Sequence, residues 1–298
     1  MHKNQLSGAS FLLVTVLNVL ITVFEFAGGA LAGSLSLVSD GFHNLGDSAS
    51  VVLSYYAHRI ANRPQTKRNT FGFKRAQIIA AFVNSTFLLI ISAILIAEAV
   101  GKLFKPEHTN GELMFIVAIV GTVANLVSAV ILNRGSKHNL NVRATYLHLL
   151  SDTLSSVGII IGGILIQLYG WYVVDPIVTI IVALYIMLET WPILRQTILI
   201  LMQGAPKINY VDIQHDLLQL PEITGVHHVH VWLEDENSII FSAHINMRDM
   251  KISEAEKTYH PIYQLLHDKY GIDHVTLQAE VERGRKQDFF YDKGTDIK

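Results

Sequence analysis

Two short motifs in this chain place metal-ligating side chains inside apolar sequence. His43 and Asp47 lie within SLVSDGFHNLGDSAS, and His148 and Asp152 lie within YLHLLSDTLSS. A spacing of i, i+4 turns both side chains of a pair to one face of a helix. Two such faces together supply two imidazoles and two carboxylates, a tetrahedral nitrogen and oxygen set that suits Zn2+. One His-x-x-x-Asp alone is a weak signal; its return 105 residues later makes a strong one. Asp40, three residues before His43, reads as support for that imidazole rather than as a ligand. Gly41, Gly46, Ser48, Ala49, Ser151, Ser155 and Ser156 surround the pairs and permit close helix approach.

The segments that must position these residues are membrane spans. Six apolar runs, each roughly 20 residues or more, are long enough to cross a bilayer as helices. They cover Ser10–Ala32, Leu35–Ala57, Ala76–Val100, Leu113–Leu132, Tyr146–Tyr169 and Val173–Met202. The first has no small-residue cleavage site and is followed by further runs, so it reads as a span rather than a signal peptide. Arg59, Arg63, Lys67, Arg68, Lys74 and Arg75 follow the second run, and Arg134, Lys137 and Arg143 follow the fourth. The opposite side carries Lys102 and Lys105, offset by Glu107 and Glu112. This asymmetry places both termini in the cytoplasm. By residue count His43 is near the outer end of its span and His148 near the inner end of its own. The pairs therefore meet only if the fifth helix is displaced or an outer connection is sunk into the bilayer. Opposed directions of the second and fifth spans fit an inverted repeat of three spans each.

The ligand chemistry suggests transport. Imidazole must be neutral and carboxylate ionised to bind metal, so protons and metal compete for the same atoms. Alternating access to the two sides then gives export in exchange for protons. Glu25 and Asp175 are also in or near spans, as are Glu98 and Glu189; proton carriage and interhelical hydrogen bonding both remain open for the first two. Competing classes leave different marks. An intramembrane zinc hydrolase needs an open metal position and a base, as in His-Glu-x-x-His, which this sequence lacks, so no enzyme is expected. A non-transporting, membrane-anchored zinc sensor is the alternative, with the spans as anchor only. There is no cysteine, which removes disulfides and thiolate sites, and the net charge of −2 provides no basic footprint for nucleic acid.

Half of the residues are hydrophobic and 16% charged, with a mean hydropathy of +0.35. The charges are unevenly placed: 22 fall in the first 204 positions and 26 in the last 94. A membrane part is thus followed by a water-soluble acidic part. In the latter, Tyr210, Ile213, Leu217 and Leu220 recur at helical spacing, residues 226–233 and 239–247 alternate, Ile252 to Tyr270 is amphipathic, and 274–281 alternate again. The order helix, strand, strand, helix, strand predicts a small α+β domain. One sheet face carries Val229, Val231, Leu233, Phe241, Ile245, Val275 and Leu277 toward the helices. The other carries His228, His230, Ser242, His244, Asn246, His274, Gln278 and Glu280, a face suited to a cytoplasmic metal site, a metal-sensitive dimer contact or plain solvation. His274 and Glu280 stand about 20 Å apart on one strand and cannot share an ion within a chain. His227, His260 and His267 are read as surface residues.

Together SLSLVSDGFHNLGDSAS, FGFKRAQ, HLLSD, the dipeptide Asp175-Pro176 and VHVW resemble the cation diffusion facilitators over nearly the whole chain. The resemblance implies a membrane all-α six-helix transporter domain over residues 1–204, a cytoplasmic α+β ferredoxin-like domain over 205–283 that binds metal and dimerises, and a polar tail over 284–298. It implies a homodimeric, proton-coupled exporter of Zn2+ and similar divalent ions, with His43, Asp47, His148 and Asp152 as transport ligands. In that family His at the first position accompanies a preference for zinc over cadmium. Its cytoplasmic zinc sites map onto His230, His244 and Glu280, with His274 apart. The chain lacks the long His-rich loop of many animal relatives between the fourth and fifth spans, where His138 stands alone, and lacks the terminal cysteines of others. The compact form is closer to a bacterial, plasma-membrane protein.

Overall fold

The computed structural model describes residues 8–136 and 140–290, with side chains over 15–131, 152–153 and 155–290. Six long helices come first: α1 (Gly8–Ala32), α2 (Leu35–Ala61), α3 (Arg75–Phe104), α4 (Gly111–Ser136), α5 (Leu140–Tyr169) and α6 (Val174–Leu201). Then follow α7 (Tyr210–Leu218), β1 (Ile223–Leu233), β2 (Ile239–Met247), α8 (Ile252–Tyr270) and β3 (Ile272–Glu280). The order matches the expected one in both parts. By packing the chain divides into two units, one of residues 1–57 with 80–194, the other of 58–79 with 195–298. The connection from α2 to α3 and the end of α6 thus pack with the tail.

Within the helical unit, Thr15–Ala32, Arg75–Phe104, Gly111–Ile131 and Val174–Leu201 are long and apolar enough to cross a membrane. The described apolar part of α5 is shorter, Ser155–Tyr169, and α2 falls below the same threshold. The reason is the chemistry carried: α2 interrupts its apolar face with Asp40, His43, Asn44 and Asp47, all facing inward or half-buried. Outward faces are apolar, as a lipid solvent requires, with Leu31, Leu188 and Phe104 largely exposed. Helices α4 and α5 pack most closely. A Cβ on Gly163 would lie 2.9 Å from the Phe115 backbone nitrogen, so only glycine permits that backbone approach. A core of Leu37, Met114, Val117, Ile159 and Ile166 seals the end where α1 turns into α2.

The second unit is a three-stranded sheet in the order β1-β2-β3. Strands β1 and β2 pair antiparallel, and β2 and β3 pair parallel across the α8 crossover. Alternation delivers Phe241, Ala243, Ile245 and Met247 of β2 to the helices, where they meet Ile213 and Leu217 of α7 and Ile262 and Leu266 of α8. Asn209 caps α7 by accepting from the Val211 N–H at 3.1 Å. Lys269 and Tyr270 both donate to the Asp216 carboxylate, tying α8 to α7 and holding that carboxyl down at about 2. Phe241 is fully buried at the centre of this core. Phe241→Ala is expected to cost about 3–5 kcal/mol, read as lost amide-exchange protection across β1 to β3; unchanged protection would refute this account of the core.

Candidate metal centres

The α2 helix places Asp40, His43 and Asp47 one turn apart, and in the fold Asp152 of α5 comes to meet them. His43 Nε2 lies 3.1 Å from Asp152 Oδ1 and 3.8 Å from Asp47 Oδ2. His43 and Asp152 are 5% and 3% exposed, while Asp47 is half-buried. One ligand atom from each of the three lies within 4.8 Å of the others. Around Zn2+ at about 2.0 Å, tetrahedral donors stand about 3.3 Å apart. The cluster is close to that spacing already.

Asp40 is also buried, and Ser156 of α5 donates to its Oδ2 at 3.0 Å. It therefore ties α2 to α5. The two cross-links, 43 with 152 and 40 with 156, run in opposite chain directions, so α2 and α5 are antiparallel. That register brings the backbone at position 148 level with Asp47; the His148 side chain lies outside the described residues. Helix α5 begins at Leu140, so position 148 is two turns inside it, and Ser34, Leu35, Ser36 and Leu37 at the start of α2 are all buried.

Surrounding polar groups are fixed in turn. Asn44 donates to Glu25 Oε2 at 2.7 Å, and Asn18 donates to Ser48 at 3.1 Å. Glu25 is thus an interhelical acceptor beside the cluster, and Asp175 binds the first turn of α2. Glu189 accepts from Tyr185 at 2.6 Å and, like Glu98, faces outward.

In the sheet unit a second cluster forms on the face away from the helices. His227 Nε2 lies 3.2 Å from Glu280 Oε2, and His244 Nδ1 lies 3.2 Å from Glu280 Oε1. These three residues again place donor atoms within 4.8 Å of one another. Neither ring nitrogen of His227 nor Glu280 Oε2 has a hydrogen-bond partner among the described residues, although all are buried. Orphaned buried donors and acceptors of this kind fit a bound cation. Burial holds the His244 imidazole below its ordinary range, against an opposing pull from Glu280, so the ring is neutral at pH 7 and ready to ligate.

His227 corrects the expectation of a surface residue: it is 2% exposed. His230 stands apart from this trio, exposed and packed edge to face with His228 at 5.1 Å. The cause is a β-bulge. His227 pairs with His244 and His230 with Ser242, so three residues of β1 oppose two of β2, and His228 takes φ +52. One extra residue flips the parity, bringing His227 and not His228 to the polar face. A signal was present in the sequence: Val226 and Val229, both core residues, are three apart where strict alternation demands two. His274 is exposed at the far end of β3, opposite Ile240 and edge to face with Phe71 at 6.0 Å. The segment after β3 also covers His227. Gly284, at φ +69, lies so near that a Cβ there would stand 1.9 Å from His227 Nε2. Beyond it the Val229 N–H donates to the Phe289 carbonyl at 2.9 Å. The expected polar tail thus packs on the sheet as far as residue 290, and 291–298 lie outside the described residues.

Comparison with known proteins agrees in both units. Residues 11–202 match the family model of the cation efflux transmembrane domain, and residues 205–282 match that of the cation efflux protein cytoplasmic domain. The chain is 35% identical over 273 residues to the zinc transporter ZitB of Shigella flexneri, covering 91% of this chain and 86% of that protein. It is 36% identical over 289 residues to the cadmium, cobalt and zinc/H(+)-K(+) antiporter of Bacillus subtilis (strain 168), covering 95% and 93%. The metal cation efflux system protein CzcD of Cupriavidus metallidurans is 32% identical over 260 residues, covering 87% and 82%.

Proposed function

This chain belongs to the cation efflux family, a family of transporters rather than enzymes, and on that premise we propose that it exports Zn2+ and related divalent cations from the cytoplasm in exchange for protons. The observation that carries this reading is the meeting of His43 and Asp47 with Asp152, from two antiparallel helices, inside a helical unit built of membrane-length segments. His148, level with Asp47 in the helix register, is the fourth ligand. Each donor binds either metal or protons, so arrival of one expels the other.

The basic residues flanking α2 to α3 and α4 to α5 set both termini in the cytoplasm, in a bacterial plasma membrane. The tail unit is the dimerisation module of a homodimer, and its sheet face holds a regulatory Zn2+. There His244 and Glu280 serve as ligands, and the geometry favours His227 over His230 as their partner. The names of the relatives support zinc as a substrate and leave cadmium and cobalt as further cargo. Purified protein in proteoliposomes with an imposed pH gradient tests the reading: zinc uptake is expected to follow the gradient and to dissipate it. A folded, zinc-binding protein that moves no zinc would overturn export in favour of a membrane-anchored sensor.

A further inference from the structure

Helix α2 starts almost at once after α1, at a turn where Gly33 takes φ +69. Its first-turn N–H groups have no helical carbonyl to reach, and their burial shields them from water. Their partner comes from far along the chain. Asp175, in the first turn of α6 and 1% exposed, accepts from the Leu35 N–H at 2.8 Å and the Ser36 N–H at 3.2 Å. The hydroxyls of Ser34 and Ser36 donate to it as well, each at 2.6 Å. One carboxylate therefore holds the opening of α2 by two backbone and two side-chain hydrogen bonds while lying at the N-terminus of its own helix, where negative charge is favoured.

This grip bears on the ion cluster through the helix. His43 and Asp47 lie eight and twelve residues beyond Leu35, about 12 and 18 Å along a stiff rod. Helix α6 is joined by only four residues, 170–173, to α5, which carries Asp152. Asp175 thus fastens the α5–α6 hairpin to the start of α2, at a distance from the ligands themselves. We infer that Asp175 is a positioning residue for metal transport: by holding Leu35 and Ser36 it fixes the height and rotation of α2, and so seats His43 and Asp47 against Asp152. The inference rests on the assignment of the membrane centre proposed above.

The test is equilibrium binding of Zn2+ and Cd2+ to the full chain in detergent, by competition with a chromophoric chelator. A His244→Ala background isolates the membrane centre. Asp175→Asn keeps the shape but confronts the two backbone N–H groups with an amide that offers one acceptor oxygen. It is expected to weaken zinc binding roughly 10–100-fold, the usual effect of disturbing the groups that orient ligands. It is also expected to change the zinc to cadmium ratio, whereas a merely structural role would lower the melting profile in chelator and leave the ratio alone. The Ser34→Ala, Ser36→Ala double variant keeps both backbone bonds and should show a smaller shift in the same direction. Wild-type affinity and ratio in folded Asp175→Asn would overturn the inference. Should that variant fail to fold, wild-type zinc affinity and ratio in the double serine variant would overturn it instead. If adding His43→Ala to the background leaves zinc binding unchanged, the centre itself has been misassigned and both readings fall.

Discussion

Proteoliposomes carrying the Asp152→Ala protein are expected to lose gradient-driven zinc uptake by ~100-fold or more, with the protein still folded. The size follows from what the carboxylate does. Its Oδ1 stands 3.1 Å from His43 Nε2, at the spacing of two donors on one tetrahedral ion, and the residue is 3% exposed. Alanine there removes both a ligand and a negative charge, and among the described residues of α5 the neighbouring Ser156 is committed to Asp40. Asp152→Asn should fail nearly as badly, because the amide keeps the shape and not the charge. Asp40→Asn should lose far less, about 10-fold at most, since Asp40 serves α5 rather than the ion. Alanine at position 152 also takes the partner from the buried His43 ring, so the Asp152→Ala melting temperature in chelator is expected to fall below that of the wild type. Zinc flux that survives in this variant would retain transport and dismiss the site. Lost flux together with a collapsed melting profile would assign the loss to folding rather than to the ion site.

The common face of His43 and Asp47 was legible in the sequence because helices obey a fixed period: once they sit at i, i+4 in a helix, no rearrangement of neighbours can turn them to different faces. Asp152 of α5 meets them, while the His148 side chain lies outside the described residues. What the sequence concealed was depth. Apolar composition ends α5 at Tyr146, but hydrogen bonding continues the helix to Leu140, because a helix does not stop where the hydrocarbon does. Nor did composition reveal that the polar opening of α2 is sunk: Ser34 and Ser36 are tolerable there only because Asp175, some 140 residues distant, accepts from them. In the sheet unit the element order was readable and one residue's parity was not. Strands transmit an error of a single residue to every side chain beyond it, so the bulge at His228 was enough to exchange one histidine for another.

That exchange leads to the sharpest result expected of the tail unit. In a His43→Ala background, which silences the membrane centre, His227→Ala is expected to weaken the remaining zinc binding by ~100-fold or more. His230→Ala should change it by less than about 10-fold, because its ring stands outside the trio whose donor atoms converge. The two rings lie three residues apart in β1 and both belong to the polar face, yet their surroundings differ. His227 is enclosed by β2, by Glu280 and by the close approach of Gly284, so its nitrogens are aimed without freedom to turn. His230 is exposed beside His228, and its ring must give up solvent and swing to reach the trio. Preorganised donors gain affinity by having lost their rotamer freedom on folding, and mobile ones lose that freedom on binding. The measurement is competition with a zinc chelator on the full chain at pH 7, above the range in which the half-buried His244, held below its ordinary value by desolvation, takes up a proton. A greater loss with His230→Ala than with His227→Ala would mean that zinc draws β1 out of its bulge and that His230 takes the place of His227. Equal losses would place both rings on one ion, and the closed packing of Gly284 against His227 would then have to open for metal to enter.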